Sequence, residues 1–213
     1  GATPLYLACE KGHVDAARLL LEHGADVDRA TENDWTPLQS ACFDGHIDAA
    51  RLLLEKGAEV DRAKGNGCTP LYLACENGHL DAARLLLDKG ADVDRAEEDG
   101  MTPLYVACQQ GHVDAARLLL DNGAAVDRAM KEGTTPLFVA CYNGHVDAAR
   151  LLLDKGAEVD RAMKEGVTPL YVACQQGHVD VARLLLDNGA EVNRATTWGT
   201  PLSAAKSQGH SSI

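Results

Sequence analysis

Aromatic side chains are scarce in this chain of 213 residues: Phe, Trp and Tyr together make up 4% of it. Its core must therefore come from Leu, Ala and Val, which suits closely packed helices better than a β-sandwich. No apolar run approaches the roughly 20 residues that span a bilayer. The opening GATPLYLACE lacks a basic stretch followed by an apolar one, so no secretory leader is read there. Positive charge is in deficit, with 20 Lys and Arg against 32 Asp and Glu and a net charge of −12. Such a surface repels phosphate backbones and anionic headgroups, so neither nucleic acid nor a membrane is expected as partner. Gly-Lys-Ser/Thr, Gly-x-Ser-x-Gly and His-Glu-x-x-His are all missing, and no catalysis and no cofactor are expected. Hydrophobic residues at 46% and charged residues at 24% still permit a packed core.

What the chain has is repetition. Thr-Pro-Leu begins at Thr3, Thr36, Thr69, Thr102, Thr135, Thr168 and Thr200, spaced by 33 residues except for a last step of 32. Gly-His follows in each copy, from Gly12-His13 to Gly209-His210, and Arg-Leu-Leu-Leu begins at Arg18, Arg51, Arg84, Arg117, Arg150 and Arg183. The unit reads directly as structure. Thr3 is a helix N-cap and Pro4 suits the first helical position. A short helix through Leu5-Tyr6-Leu7-Ala8-Cys9 should stop at Gly12, where a left-handed backbone is available. A second helix from Val14 to about Glu22 carries Asp15 in its first turn, favourable to the helix dipole, and Gly24 ends it. A polar, hairpin-like stretch to Asp34 leads into Thr36. Neither helix is long enough to persist alone in water. Stacked units share a core expected to hold Leu5, Leu7, Ala8, Val14, Ala17, Leu20, Leu21 and their equivalents.

These motifs resemble the ankyrin repeat, whose period is 33 and whose signature is T-P-L-H-x-A. The resemblance covers the whole chain, with six full units and a partial seventh from Thr200. It implies an all-α repeat fold: one domain over residues 1–213, a right-handed solenoid of helix-turn-helix units joined by β-hairpin-like loops. Three columns depart from the family. The usual His after Thr-Pro-Leu is Tyr6, Gln39, Tyr72, Tyr105, Phe138, Tyr171 or Ser203; an Ala of the first helix is Cys in six units; the Asn after the valine is Asp except at Asn193. The first departure puts the hydrogen bonds made through that His in question.

Cys9, Cys42, Cys75, Cys108, Cys141 and Cys174 share one position. Packed helices lie about 8–10 Å apart and a disulfide needs Cα atoms within about 7 Å. The column is therefore read as small buried hydrophobes, and so many free thiols point to a reducing compartment, cytoplasm or nucleus. Cys68 stands apart at a hairpin tip and is expected to be exposed and reactive. Cys9-x-x-x-His13 recurs, but Gly12 breaks the helix between the pair and about four ligands must converge on zinc, so no metal site is expected. The Gly-His histidines are read as turn residues bonding backbone, and Asp15, Arg18 and Glu22 as a solvated ladder.

Variation among copies concentrates at the hairpin tips and at the ends of the first helices, columns that in ankyrin proteins line the concave partner-binding groove. They supply the candidate contacts Trp35, Phe43, Asp44, Glu76, Asn77, Met101, Gln109, Gln110, Tyr142, Asn143, Gln175 and Gln176. Exposed aromatics and Met are enriched at interface hot spots. Trp35, Phe43 and Tyr142 either contact a partner or pack on their own hairpins. The Tyr6, Tyr72, Tyr105, Phe138 and Tyr171 column is favoured as filler in the place of the family His. An acidic groove with local Lys131 and Lys164 suggests a basic or amphipathic protein or peptide as partner. The first unit shows no polar adaptation of an outer face. It predicts a fragment of a longer protein or end-to-end self-association. Protein recognition is thus the leading function, and a structural scaffold or consensus-like array without a natural partner is the alternative.

Overall fold

The computed structural model describes residues 1–210; Ser211, Ser212 and Ile213, the last residues of the partial seventh unit, lie outside the described residues. The chain divides into two compact units, Gly1–Glu98 and Asp99–Ile213. In the first, α1 (Pro4–Glu10), α3 (Pro37–Phe43) and α5 (Pro70–Glu76) alternate with α2 (Val14–Glu22), α4 (Ile47–Glu55) and α6 (Leu80–Asp88). In the second, α7 (Pro103–Gln110), α9 (Pro136–Asn143), α11 (Pro169–Gln176) and α13 (Pro201–Ser207) alternate with α8 (Val113–Asp121), α10 (Val146–Asp154) and α12 (Val179–Asp187). Within each unit like packs on like: α1 on α3 on α5 and α2 on α4 on α6, then α7 on α9 on α11 on α13 and α8 on α10 on α12. The loops fold as hairpin-like turns, closed for example by Thr31 N–H to Trp35 O and Lys64 N–H to Cys68 O. These short turn bonds do not build a ladder: among the described residues there is no strand and only one isolated bridge, Thr196 to Gly199.

Local chemistry sets the boundaries. Thr3 Oγ1 accepts the Tyr6 N–H at 3.1 Å and Thr36 Oγ1 the Gln39 N–H at 3.2 Å, with proline at the first helical position in both. Gly12 adopts φ 67°, and a Cβ there would lie 2.7 Å from the His46 ring. Backbone conformation and lack of space both demand glycine.

Three polar columns stitch copies together. His46 Nε2 lies 3.1 Å from the Glu10 carbonyl and His79 Nε2 2.9 Å from that of Phe43. These histidines hold the end of the preceding first helix, as turn residues bonding backbone. Asp28 Oδ2 accepts the Glu59 N–H at 3.1 Å, and Asp160 Oδ2 the Glu191 N–H at 3.0 Å. The second oxygens of Asp28, Asp127 and Asp160 are buried without a partner, and burial raises the Asp28 pKa. Where the family His is missing, substitutes form. Buried Gln39 closes a capping box and donates Nε2–H to the Arg62 carbonyl at 2.6 Å, and the Tyr105 hydroxyl lies 3.2 Å from Thr134 Oγ1.

Apart from α2 and α13, each helix holds one fully buried leucine in the same register, among them Leu38, Leu53, Leu71 and Leu86, then Leu104, Leu119, Leu137 and Leu152. The six Cys of the column are buried among them. Two expectations need correction. Leu7 is 48% exposed and does not belong to the core, although Leu73, its counterpart, is buried. Among the described residues nothing packs on the side of α1 and α2 that faces away from α3 and α4, and Leu20 is only half-buried for the same reason, whereas Val14 and Leu21 are half-buried at the rim of the core just as Ile47, Leu80, Leu54 and Leu87 are in internal copies. Cys68 is buried, not exposed. The hairpin buries its side chain, which raises the pKa of its thiol, and Gln39 Nε2 comes within 3.5 Å of its backbone carbonyl.

Candidate functional site

A groove of about 740 Å³ opens in the C-terminal unit. Its floor is built from the first helices. Proline and threonine fix where each helix starts, so successive copies project the same positions to the same side. The third position after the cap Thr supplies Tyr105, Phe138 and Tyr171, and the next supplies Val139 and Val172. The last turn supplies Gln109, Tyr142, Asn143, Gln175 and Ser207, and the loops add Thr134, Met163, Val167 and Trp198. Five of the chain's nine aromatic residues (two Trp, five Tyr and two Phe) converge here. Tyr142 and Trp198 are 47% and 59% exposed.

The histidine column positions this wall. His145 Nε2 lies 3.1 Å from the Gln109 carbonyl and His178 Nε2 3.0 Å from that of Tyr142. Asn143 Nδ2–H also donates to the Gln109 carbonyl at 3.1 Å. Burial pushes the Tyr105 pKa up, against the opposing effect of its Thr134 hydrogen bond.

The structure brings together four of the residues singled out from sequence: Gln109, Tyr142, Asn143 and Gln175. Gln110 and Gln176 are exposed outside the groove lining, and Met101 is half-buried outside it. In the N-terminal unit, Trp35 and Phe43 meet edge to face with ring centroids 5.4 Å apart, and Lys64 Nζ sits 3.9 Å from the Trp35 centroid. Two aromatics left open as partner contacts or hairpin packing therefore contact each other, with a cation from the next hairpin on top. Glu76 is half-buried near this Lys64, and burial raises its pKa more than Lys64 lowers it. Asn77 donates to the Leu73 carbonyl at 2.9 Å, and exposed Asp44 ends α3.

The Tyr105, Phe138 and Tyr171 column is buried, as filler should be, yet it also lines the groove. Trp198 was legible as a rare aromatic in a hairpin, the criterion that selected Trp35. The groove is not acidic: among the described residues, no charged side chain lines it. Lys131 and Lys164 lie outside it, in ion pairs with Asp99 at 3.7 Å and Glu132 at 3.4 Å.

Residues 1–64, 59–130 and 123–196 match the family described as ankyrin repeats (3 copies), and the chain belongs to the ankyrin repeat family. Among solved structures it is similar to the human ASB11 ankyrin repeat domain, at 35% identity and TM-score 0.89 over 96% of this chain and 92% of that one. It is also similar to the ankyrin repeat domain of Bcl-3, described as a unique member of the IkappaB protein family, at 32% identity and TM-score 0.83 over 96% and 94% of the two chains. The ankyrin repeat domain-containing protein 13B of mouse and of human is 56% identical over 36 residues, 17% of this chain. That match spans 6% of the length of those curated relatives. Ankyrin repeats are in general protein-interaction modules. No helix among the described residues is long and apolar enough to cross a membrane.

Proposed function

We propose that this chain is a protein-recognition module and not a catalyst, and that its principal contact surface is the aromatic groove of the C-terminal unit. One observation carries this reading: in a chain poor in aromatics, five of them line a single groove, two with large exposed faces. Rigid aromatic side chains gain contact area at low entropic cost, which is why they anchor interfaces. The contact set centres on Tyr142, Trp198, Gln109, Asn143 and Gln175. The unbroken 33-residue register from Thr3 to Thr168 supports treating residues 1–213 as one ankyrin domain. Seven buried free thiols support a reducing compartment, cytoplasm or nucleus.

The test is capture from cell lysate by the wild-type chain and by a Tyr142→Ala, Trp198→Ala variant first shown to melt alike, followed by hydrogen-exchange mapping with the captured partner. Partners lost on the variant, with protection along α9 and α11, support the groove. Identical capture by both would remove it.

A second reading has its own observation. Leu7 and Leu19 are exposed at one end of the repeats, and Leu202 at the other. Their counterparts Leu73, Leu52 and Leu38 are buried against neighbouring copies. The two faces are halves of the interface that the chain builds internally, so a second copy can join them head to tail. Light scattering over a concentration series checks this, and a monomer at every concentration counts against it.

A further inference from the structure

We infer that the groove accepts an uncharged, apolar stretch of a partner polypeptide in extended form, and not the basic or amphipathic segment that the net charge suggests. This rests on the groove being the contact surface and adds the chemistry of what enters it.

The first argument is electrostatic. Fourteen of the described residues line the groove and none of these carries a charge, although 24% of the chain is charged. A Lys or Arg of a partner seated against Tyr142, Trp198 and Met163 would lose hydration and find no carboxylate there. Uncompensated burial of that kind is strongly unfavourable. The hairpin lysines beyond the groove are paired with carboxylates within the chain, so they leave little net field to favour an acidic segment either. Cation–π attraction alone is modest and does not offset that loss.

The second argument concerns hydrogen bonds. An extended peptide carries backbone donors and acceptors that must be satisfied on burial. The polar groups of the wall are neutral amides and hydroxyls. The Asn143 amide spends a donor on the Gln109 carbonyl, which leaves its oxygen to accept an incoming N–H. The Gln109 and Gln175 amides each present both a donor and an acceptor. Such groups pair with peptide backbone without demanding charge. Apolar side chains alternating along the segment would then meet the Tyr142 and Trp198 faces, while Met163 adapts to their shape. The volume of about 740 Å³ falls within the range of sites that enclose a short segment or a drug-sized ligand.

The experiment is selection of a displayed random-peptide library on the wild-type chain, with counter-selection on the Tyr142→Ala, Trp198→Ala variant. Both replaced side chains are largely exposed, and matched melting curves confirm that the variant folds. Selected peptides are then synthesised with capped termini and titrated on both chains by isothermal calorimetry, which needs no tryptophan. The expected winners carry an uncharged run of Leu, Ile, Val, Met, Phe or Pro. They should bind the variant about thirtyfold or more weakly and change affinity by less than about twofold between low and high salt. Winners lost on the variant but built around Lys or Arg, weakening about tenfold or more with salt, overturn the inference and leave the groove in place. Winners that bind the variant equally well, or a library that enriches nothing, overturn both.

Discussion

Leu19 and Leu52 hold the same place in two copies of Ala-Arg-Leu-Leu-Leu-Glu, yet Leu19 is 57% exposed and Leu52 2%. Alanine at either position changes local helix propensity equally, so a difference between the two variants isolates tertiary burial. Burying a whole leucine side chain contributes about 1.5–3 kcal/mol. The difference in exposure, 57 − 2 = 55%, therefore accounts for about 0.8–1.7 kcal/mol. Leu52→Ala also leaves a cavity between α2 and α4, which brings its cost to about 3 kcal/mol. Leu19→Ala leaves no enclosed void and should stay near 0.5 kcal/mol, about the scale of surface substitutions. In a chain of this size each kcal/mol shifts Tm by about 2–4 °C. Leu52→Ala should lower Tm by about 6–12 °C and Leu19→Ala by about 1–2 °C. Both residues lie in the N-terminal unit, so departures from two-state melting affect them alike. The assay is a pair of thermal melts by circular dichroism, repeated across protein concentration. Equal losses at every concentration would refute the reasoning. A Leu19→Ala loss that grows with concentration would instead show that a second copy covers that face.

Three further outcomes follow from the geometry. A thiol reagent added at neutral pH should leave all seven cysteines silent until the chain is denatured, because burial raises the thiol pKa values, to about 12 for Cys9 and about 11 for Cys174. Prompt labelling of Cys68 would contradict its burial. His178→Ala removes the bond to the Tyr142 carbonyl and should cost about 1–2 kcal/mol in denaturant unfolding, while weakening a groove-selected peptide; unchanged affinity would mean that His178 does not position the wall. Asp28→Asn keeps an oxygen to accept the Glu59 N–H and removes a charge that burial disfavours. The pKa of Asp28 is raised in the folded state. Its stabilising contribution is therefore present below the unfolded pKa and lost as pH rises through the folded value. The variant should melt higher than wild type near neutral pH and converge with it in acid, and a gap that persists in acid would assign the effect to packing.

The sequence by itself determined everything that depends on a residue and its near neighbours. The 33-residue period, the Thr caps, the prolines at the first helical position and the left-handed glycines are satisfied within each copy, so each copy announces them. Burial of the cysteine column was legible because six copies place Cys at one core position. The tertiary structure decided what depends on which copy lies beside which. Identical local sequence leaves Leu19 exposed and Leu52 buried, because burial belongs to the neighbour and not to the helix. Cys68 looked exposed by its place at a hairpin tip, but the folded tip buries it and brings its backbone carbonyl to Gln39. Trp35 and Trp198 satisfy the same sequence criterion. One meets Phe43 and Lys64 and the other lines a groove. The net charge of −12 suggested an acidic groove. Net charge counts side chains without saying where they point, and stacking the copies directs tyrosines, valines and amides inward to the groove while the hairpin lysines pair with carboxylates outside it.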